Sequence, residues 1–531
     1  MSSINTLYHT VKYLRYKQIN YRVFYLVRGK VKKIFGIRYA YNMNSNSSDI
    51  YLKPSITTDG LYDQVNHFTF LNISHAFGIE SIDWNYPKYG KLWTYNMTYF
   101  DFLNQSTISK NEGTRLINDF IEQITNIKDG MEAFPISLRA VNWIKFLVKY
   151  KIKNQKIDNS LYAQYYILLN NLEYHLLGNH LLENAFSLLF GAYYFKDEKL
   201  YTKSQELLIS ELNEQILDDG AHFELSPMYH QMMLFRVLDC INLVSNNKWK
   251  NDDLLKFLIK KASVMLGWLD VMTFRNGNIP LFNDSANKIA PTTKELQKYA
   301  SILDVDIDKI SLSSSGYRKY TSEIYELVVD VGNIGPDYIL GHAHADTFNF
   351  ELYVNEIPII VDTGTSTYNI GNRRAIERST LAHNTVCINK LNQSDIWGGF
   401  RVGKRAKIIN LIEKDTFISA THDGYSSIKA YHTREFIYEH DMIQIIDRID
   451  SEFKYNCMAY IHFHPNIQFE KKDFSVFLDN LSMEFIGCSN LIIEEYLYSN
   501  EFNKTSKSKC LAIYFDTKLI TKIAINNRNM I

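Results

Sequence analysis

The apolar residues of this 531-residue chain change their spacing near residue 310, from the helical repeat to the two-residue repeat of strands, and few architectures accommodate that order. Before residue 310, Tyr162–Leu177, Asn184–Phe195, Met232–Val244 and Leu254–Val271 each carry apolar residues three and four apart, with few Gly or Pro breaks. Consecutive helices on short polar links predict paired helices in an array, ring or superhelix. No fixed-period repeat is present, which argues against a consensus solenoid. After residue 310, Tyr325–Val331 and Phe348–Val354 read as strands, the second half-buried by its alternation. Ile357–Val361 is a short apolar run, and Arg434–Ile449 reads as two strands about a Glu-His-Asp turn. Such an order predicts an antiparallel sandwich. Polar, turn-rich stretches at 40–60 and 307–316 divide the chain into a helical or linker segment (1–60), a helical domain (61–312) and a β domain (313–531).

Composition narrows the functional classes. Lys plus Arg and Asp plus Glu both number 58, so no global field draws in nucleic acid or a polyanion, and an anionic substrate needs a local basic cleft. Aromatic residues make up 14% of the chain, which suits stacking on sugar rings. Five scattered cysteines without a C-x-x-C pair argue against a disulfide scaffold and a thiolate zinc site. No apolar run is long enough to span a bilayer. The basic, amphipathic N-terminus lacks an apolar signal core, so a cytoplasmic or cytoplasmic-membrane-surface location is expected.

Three segments hold chemistry that packing alone does not demand. In Gly178–Asn184, a helix would put His180 and Glu183 on one face beside Asn179. In Asp218–His230, Pro227 opens a helix whose first turn carries Tyr229. The third runs from Gly341 to Asn384. His342 and His344 lie two apart on an extended segment, Asp362 ends a strand, and His383 follows. These side chains suit either a His/Asp/His zinc site or a polar loop cluster.

Taken together, these segments resemble the heparinase II/III-like polysaccharide lyases. The likeness runs through LWTYNMTYFD (92–101), PISLRAVNW (135–143), Asn179-His180 and Ser226–His230. It is densest from Gly341 to Arg405 (GHAHADTFNFEL, IIVDTGTSTY, RSTLAHNTV, WGGFRVGKRA) and thins after about Asp450. It implies an incomplete α/α toroid followed by an antiparallel β-sandwich, with an acidic polysaccharide bound between them and cleaved by β-elimination. Asn179 and His180 match positions that hold the uronate carboxylate. Tyr229 matches the catalytic tyrosine, acting as base, acid or both, and His342 its partner. His344, Asp362 and His383 match the ligands of one structural zinc ion found in part of the family, and no organic cofactor is implied. Glu183, Arg139, Arg378 and Arg401 are candidates for substrate contacts, since arginine grips acid groups bidentately. Family relatives also suggest a periplasmic setting, or a role in capsule or lipopolysaccharide metabolism.

Two rival classes stand beside the lyase. One is a glycan-binding protein on the same fold, which has no need of a Tyr/His pair. The other is a glycoside hydrolase, which needs two carboxylates flanking the scissile bond; Glu183, Glu224 and Asp219 are available.

Overall fold

Residues 4–63, 66–78 and 81–526 are described by a computed structural model. Two helices, α1 (Ile4–Val11) and α2 (Tyr16–Ile34), precede an extended run to residue 60. The helical domain then comprises α3 (Lys91–Tyr99), α4 (Lys110–Gln123), α5 (Ala133–Lys149), α6 (Gln155–Leu169), α7 (Gly178–Phe195), α8 (Glu198–Gln215), α9 (Pro227–Asn246), α10 (Asp253–Met272) and α11 (Thr293–Ile302). Helices α5, α7 and α9 are buried almost all round, as inner-layer helices must be. Helix α8 buries one stripe, which includes Leu200, Ser204, Leu207, Leu208, Glu211 and Leu212, and packs on α7. Inner and outer helices alternating along the chain make the toroid.

Local chemistry sets the helix ends. Asp197, Asn154 and Ser226 each accept backbone N–H bonds at the first turns of α8, α6 and α9. The predicted helix 162–177 stops at Leu169. There the side chains of Asn170 and Asn171 donate to the carbonyls of Tyr166 (2.7 Å) and Ile167 (2.6 Å), satisfying the last turn and releasing the chain into a loop. A small antiparallel sheet of Tyr62–Asp63, His67–Phe70 and Ile73–Ala76 was not anticipated.

The β domain begins at Tyr317. Four antiparallel strands (Tyr317–Thr321, Tyr325–Asp330, Phe350–Val354, Ile357–Ile360) form one sheet. A larger antiparallel sheet includes Ala430–Tyr438, Met442–Ser451 and the long pair Leu481–Glu501 and Lys504–Ile525. Phe350, Leu352, Phe436, Ile445, Ile513 and Ile523 belong to the core between the sheets. Phe350–Val354 is buried on both faces rather than half-buried. Its Glu351 is inside because it accepts the backbone N–H groups of Leu281 (2.8 Å) and Asp362 (3.3 Å).

Buried polar contacts clamp the domains together. Asp219 accepts from the Ser313 and Ser315 backbones (both 3.0 Å) and the Ser315 hydroxyl (2.7 Å), and the Tyr317 hydroxyl donates to the Leu225 carbonyl (2.5 Å).

Candidate active site

A cleft of 2580 Å³ lies between the toroid and the β domain, lined by Asn179, His180, Glu183, Tyr229, His342 and Arg401 among others. Tyr229 owes its place to the start of α9. Pro227 occupies the first turn, and the Ser226 hydroxyl accepts the Tyr229 N–H (3.3 Å) while donating to the Asp284 carbonyl (2.8 Å). The Tyr229 ring lies against the His342 imidazole, with centroids 3.9 Å apart and planes tilted by 31°. Its hydroxyl is 3.2 Å from that of Tyr368. Burial pushes the phenol pKa up and Asp284 and Glu224 add to this, against Tyr368 and Arg374. Tyr229 is therefore a neutral phenol at neutral pH.

Asp284 sets the state of His342. Burial alone would favour a neutral acid, but the Arg374 guanidinium, bonded to both carboxylate oxygens, holds Asp284 well below the ordinary range together with His342 and His344. A charged carboxylate only accepts, so His342 donates through Nδ1 (3.0 Å), and Nε2 is the nitrogen left for the cleft. That nitrogen is 3.5 Å from Glu224 Oε2, which has no hydrogen-bond partner. The other Glu224 oxygen accepts the Asn179 N–H at 3.0 Å. One carboxylate thus ties the start of α7 to the histidine across the cleft.

The start of α7 is made by two left-handed residues, Leu177 (φ 65°) and Gly178 (φ 57°). A Cβ on Gly178 would come within 2.6 Å of Ile339 Cδ1 and 2.8 Å of Glu224 Oε1. Asn179 is buried with Oδ1 unpartnered. His180 is partly exposed, its ring beside Phe134 and its Nδ1 3.1 Å from Glu173 Oε1. Burial disfavours its charge, but Glu173 outweighs this and raises the pKa. A helix N-terminus and a histidine whose charged form is favoured together make an anion site.

The remaining expected residues divide. Glu183 lines the cleft but is tied to Arg236 (3.1 Å). Arg401 lines the cleft over the Trp397 ring, and its charge, after burial, helps depress the pKa of Arg22 on α2. Arg139 and Arg378 do not line the cleft. Arg139 is wholly buried, donating to Gln164, Thr98 and Gly130, with its pKa lowered to about 9 by burial. Arg378 is buried and spends its guanidinium on the Ala343 carbonyl (2.8 and 3.1 Å). Its neighbour Arg374, one helical turn earlier, instead bonds Asp284 and so supports His342 from behind.

His344, Asp362 and His383 are fully buried, and the two imidazole centroids are 5.3 Å apart. Two imidazoles on one tetrahedral zinc, with bonds of ~2.0 Å, hold ring centres roughly 5 Å apart. His344 donates through Nε2 to Asp284 (2.9 Å), and His383 Nδ1 is 2.7 Å from Asp362 Oδ2. His344 Nδ1 and His383 Nε2 are left buried and unpartnered. These two nitrogens suit a metal in chemistry, and the separation of their rings matches that of two imidazoles on one zinc. As the side chains stand, no three His, Cys, Asp or Glu among the described residues converge on one metal point.

Asp284, Arg374, Tyr368, Glu224 and Glu173 complete the site; Glu224 entered from sequence only as a carboxylate available to a hydrolase, and the other four were given no role. The Arg-Arg pair at 373–374 lay inside the densest family-like block and was the available signal for Arg374.

This architecture is that of a polysaccharide-lyase class of fold, and comparison with known proteins places it more closely. Residues 37–307 match the Heparinase II/III N-terminus and residues 306–525 the Heparinase II/III-like C-terminal domain, so the chain belongs to the heparinase II/III family. It is 24% identical over 245 residues to a heparin-sulfate lyase of Bacteroides stercoris. That match spans 40% of this chain and 36% of that enzyme, little more than a third of the relative's length. In fold it is similar to a heparinase III structure (TM-score 0.65, 15% identity, 99% of this chain and 94% of that one). It is also similar to heparan sulfate lyase HepC of Pedobacter heparinus (TM-score 0.57, 16% identity, 88% and 82%).

Proposed function

We propose that the chain cleaves an acidic polysaccharide beside a uronic acid by β-elimination. The observation that carries this reading is the Tyr229–His342 pair, with ring centroids 3.9 Å apart beside the Asn179–His180 helix start. Of the carboxylates a hydrolase could use, Glu183 is tied to Arg236 and Asp219 to the inter-domain linker. Glu224 Oε2 has no hydrogen-bond partner, and hydrolysis needs a second carboxylate across the scissile bond.

The uronate carboxylate rests against Asn179 and His180, whose positive charge draws electron density from it and acidifies C5. His342 Nε2 takes the C5 proton, and that electron pair forms the C4=C5 double bond. The C4–O bond breaks, and the departing oxygen takes the Tyr229 phenol proton. Return of the proton from His342 to Tyr229 resets the pair. A zinc held by His344, Asp362 and His383 would pin the segment bearing His342. The two unpartnered imidazole nitrogens support it.

The reaction is tested by near-ultraviolet absorbance on a panel of acidic polysaccharides, including the producing organism's own surface polymer. The 4,5-unsaturated product absorbs, and Tyr229→Phe and His342→Ala should each lose on the order of 10²–10⁴-fold in rate. Reducing ends without absorbance would refute elimination. For the metal, elemental analysis of purified protein should give about one zinc per chain, lost in His383→Ala. A metal-free wild type that melts unchanged with added zinc would count against the site.

A further inference from the structure

Helix α2 is built inside out. Its inner face, toward the rest of the protein, is polar and aromatic. Gln18 donates to the carbonyls of Leu176 (3.1 Å) in the toroid and Tyr338 (3.3 Å) in the β domain, and is the one buried residue of the helix. Arg22 donates to the His175 carbonyl (3.3 Å), the Tyr25 hydroxyl to that of Leu172 (2.6 Å), and Arg28 to that of Asn170. The outer face holds the large apolar side chains. Tyr16, Ile19, Val23, Val27, Val31 and Ile34 recur at three- and four-residue steps and are all exposed, Val23 and Val27 at 55% and Ile34 at 76%. Such a stripe is the mark of a surface that something covers.

Charge identifies what covers it. Before Asp49 the chain has nine Lys and Arg and no Asp or Glu, although the whole chain is neutral, so the remainder is acidic. Lys17, Lys30 and Lys33 stand exposed on the same helix as the apolar stripe. An apolar face on a helix whose charged residues are all cations suits the headgroup region of an anionic bilayer, where such a helix lies in the plane. Among the described residues no helix is long and apolar enough to cross a membrane. The segment also precedes residue 37, where the family match begins.

We infer that the outer face of α2 docks this protein on an anionic lipid surface. The helix faces that surface on one side and lines the cleft with Gln18, Arg22, Tyr25 and Arg28 on the other. Docking therefore holds the cleft directly behind the membrane-bound helix. This inference stands whatever reaction the cleft performs.

The full-length protein is floated with vesicles of phosphatidylglycerol and phosphatidylcholine, or of phosphatidylcholine alone, at low and high salt, with its mass in solution followed by light scattering. Two variants accompany it, Val23→Asp/Val27→Asp and Lys30→Glu/Lys33→Glu, each checked for an unchanged melting temperature. The expected result is flotation with anionic vesicles that falls at least about tenfold in high salt and in either variant. Absence of flotation, equal flotation with neutral vesicles, or a wild-type dimer that Val23→Asp/Val27→Asp turns into a monomer would overturn it. The last outcome would assign the face to a second copy of the chain.

Discussion

Glu173 gives His180 a pH dependence that can be read in kinetics. An unperturbed histidine titrates near ~6.5, and Glu173 raises His180 above this. The pair therefore adds stability that is fully present below about pH 6.5 and is lost as pH rises through the raised value. Substrate binding follows the same direction, since the cation that holds the carboxylate disappears on the alkaline side. Glu173→Gln should start the rise in KM at a lower pH while leaving kcat at acidic pH within a few fold. A KM profile that does not move would remove His180 from carboxylate binding. Tyr229 and His342 were singled out through the family resemblance, which a Ser-Pro helix start and a Gly-His-Ala-His run help to carry. Asp284 was not, because its partners His342, His344 and Arg374 lie 58, 60 and 90 residues away. Only the folded chain brings them to one carboxylate.

Among the elements, α7 matters most to the site, since it supplies Asn179 and His180 and rests on Glu224 through its first turn. Gly178→Ala forces a side chain into the left-handed region at a cost of roughly 1–2 kcal/mol and pushes on Glu224. The melting temperature should fall by only a few degrees, whereas kcat/KM should fall more than the lost stability explains, because Glu224 also faces His342. Equal losses in both would mean that the turn serves folding alone. The existence of the helices and strands was readable from their periodicity. Their ends and burial were less so. Asn170 and Asn171 close α6 through side-chain bonds that hydrophobic spacing does not register. The strand Phe350–Val354 looked half-buried because Glu351 was counted as solvent-facing, whereas it is an interior acceptor whose burial raises its pKa to about 8.

At the scale of the whole molecule, the order of helical domain then antiparallel sandwich followed from the change of repeat near residue 310, and the toroid from the family resemblance. The joint between them did not, because it depends on Asp219 and Tyr317 bonding across the boundary. That joint creates the cleft in which a tyrosine from one domain meets a histidine from the other. Formal charge balance over the chain leaves substrate capture to local groups such as His180, Arg401 and Arg22. Elimination and hydrolysis differ in the fate of water, and this separates them without knowledge of the natural polymer's sequence. The decisive measurement is mass spectrometry of products formed from a cleaved polysaccharide in water enriched in heavy oxygen. Elimination breaks the C4–O bond without adding water, so the account predicts unsaturated ends and no heavy oxygen incorporated during cleavage. One heavy oxygen per cleavage, in products lacking the double bond, would contradict it.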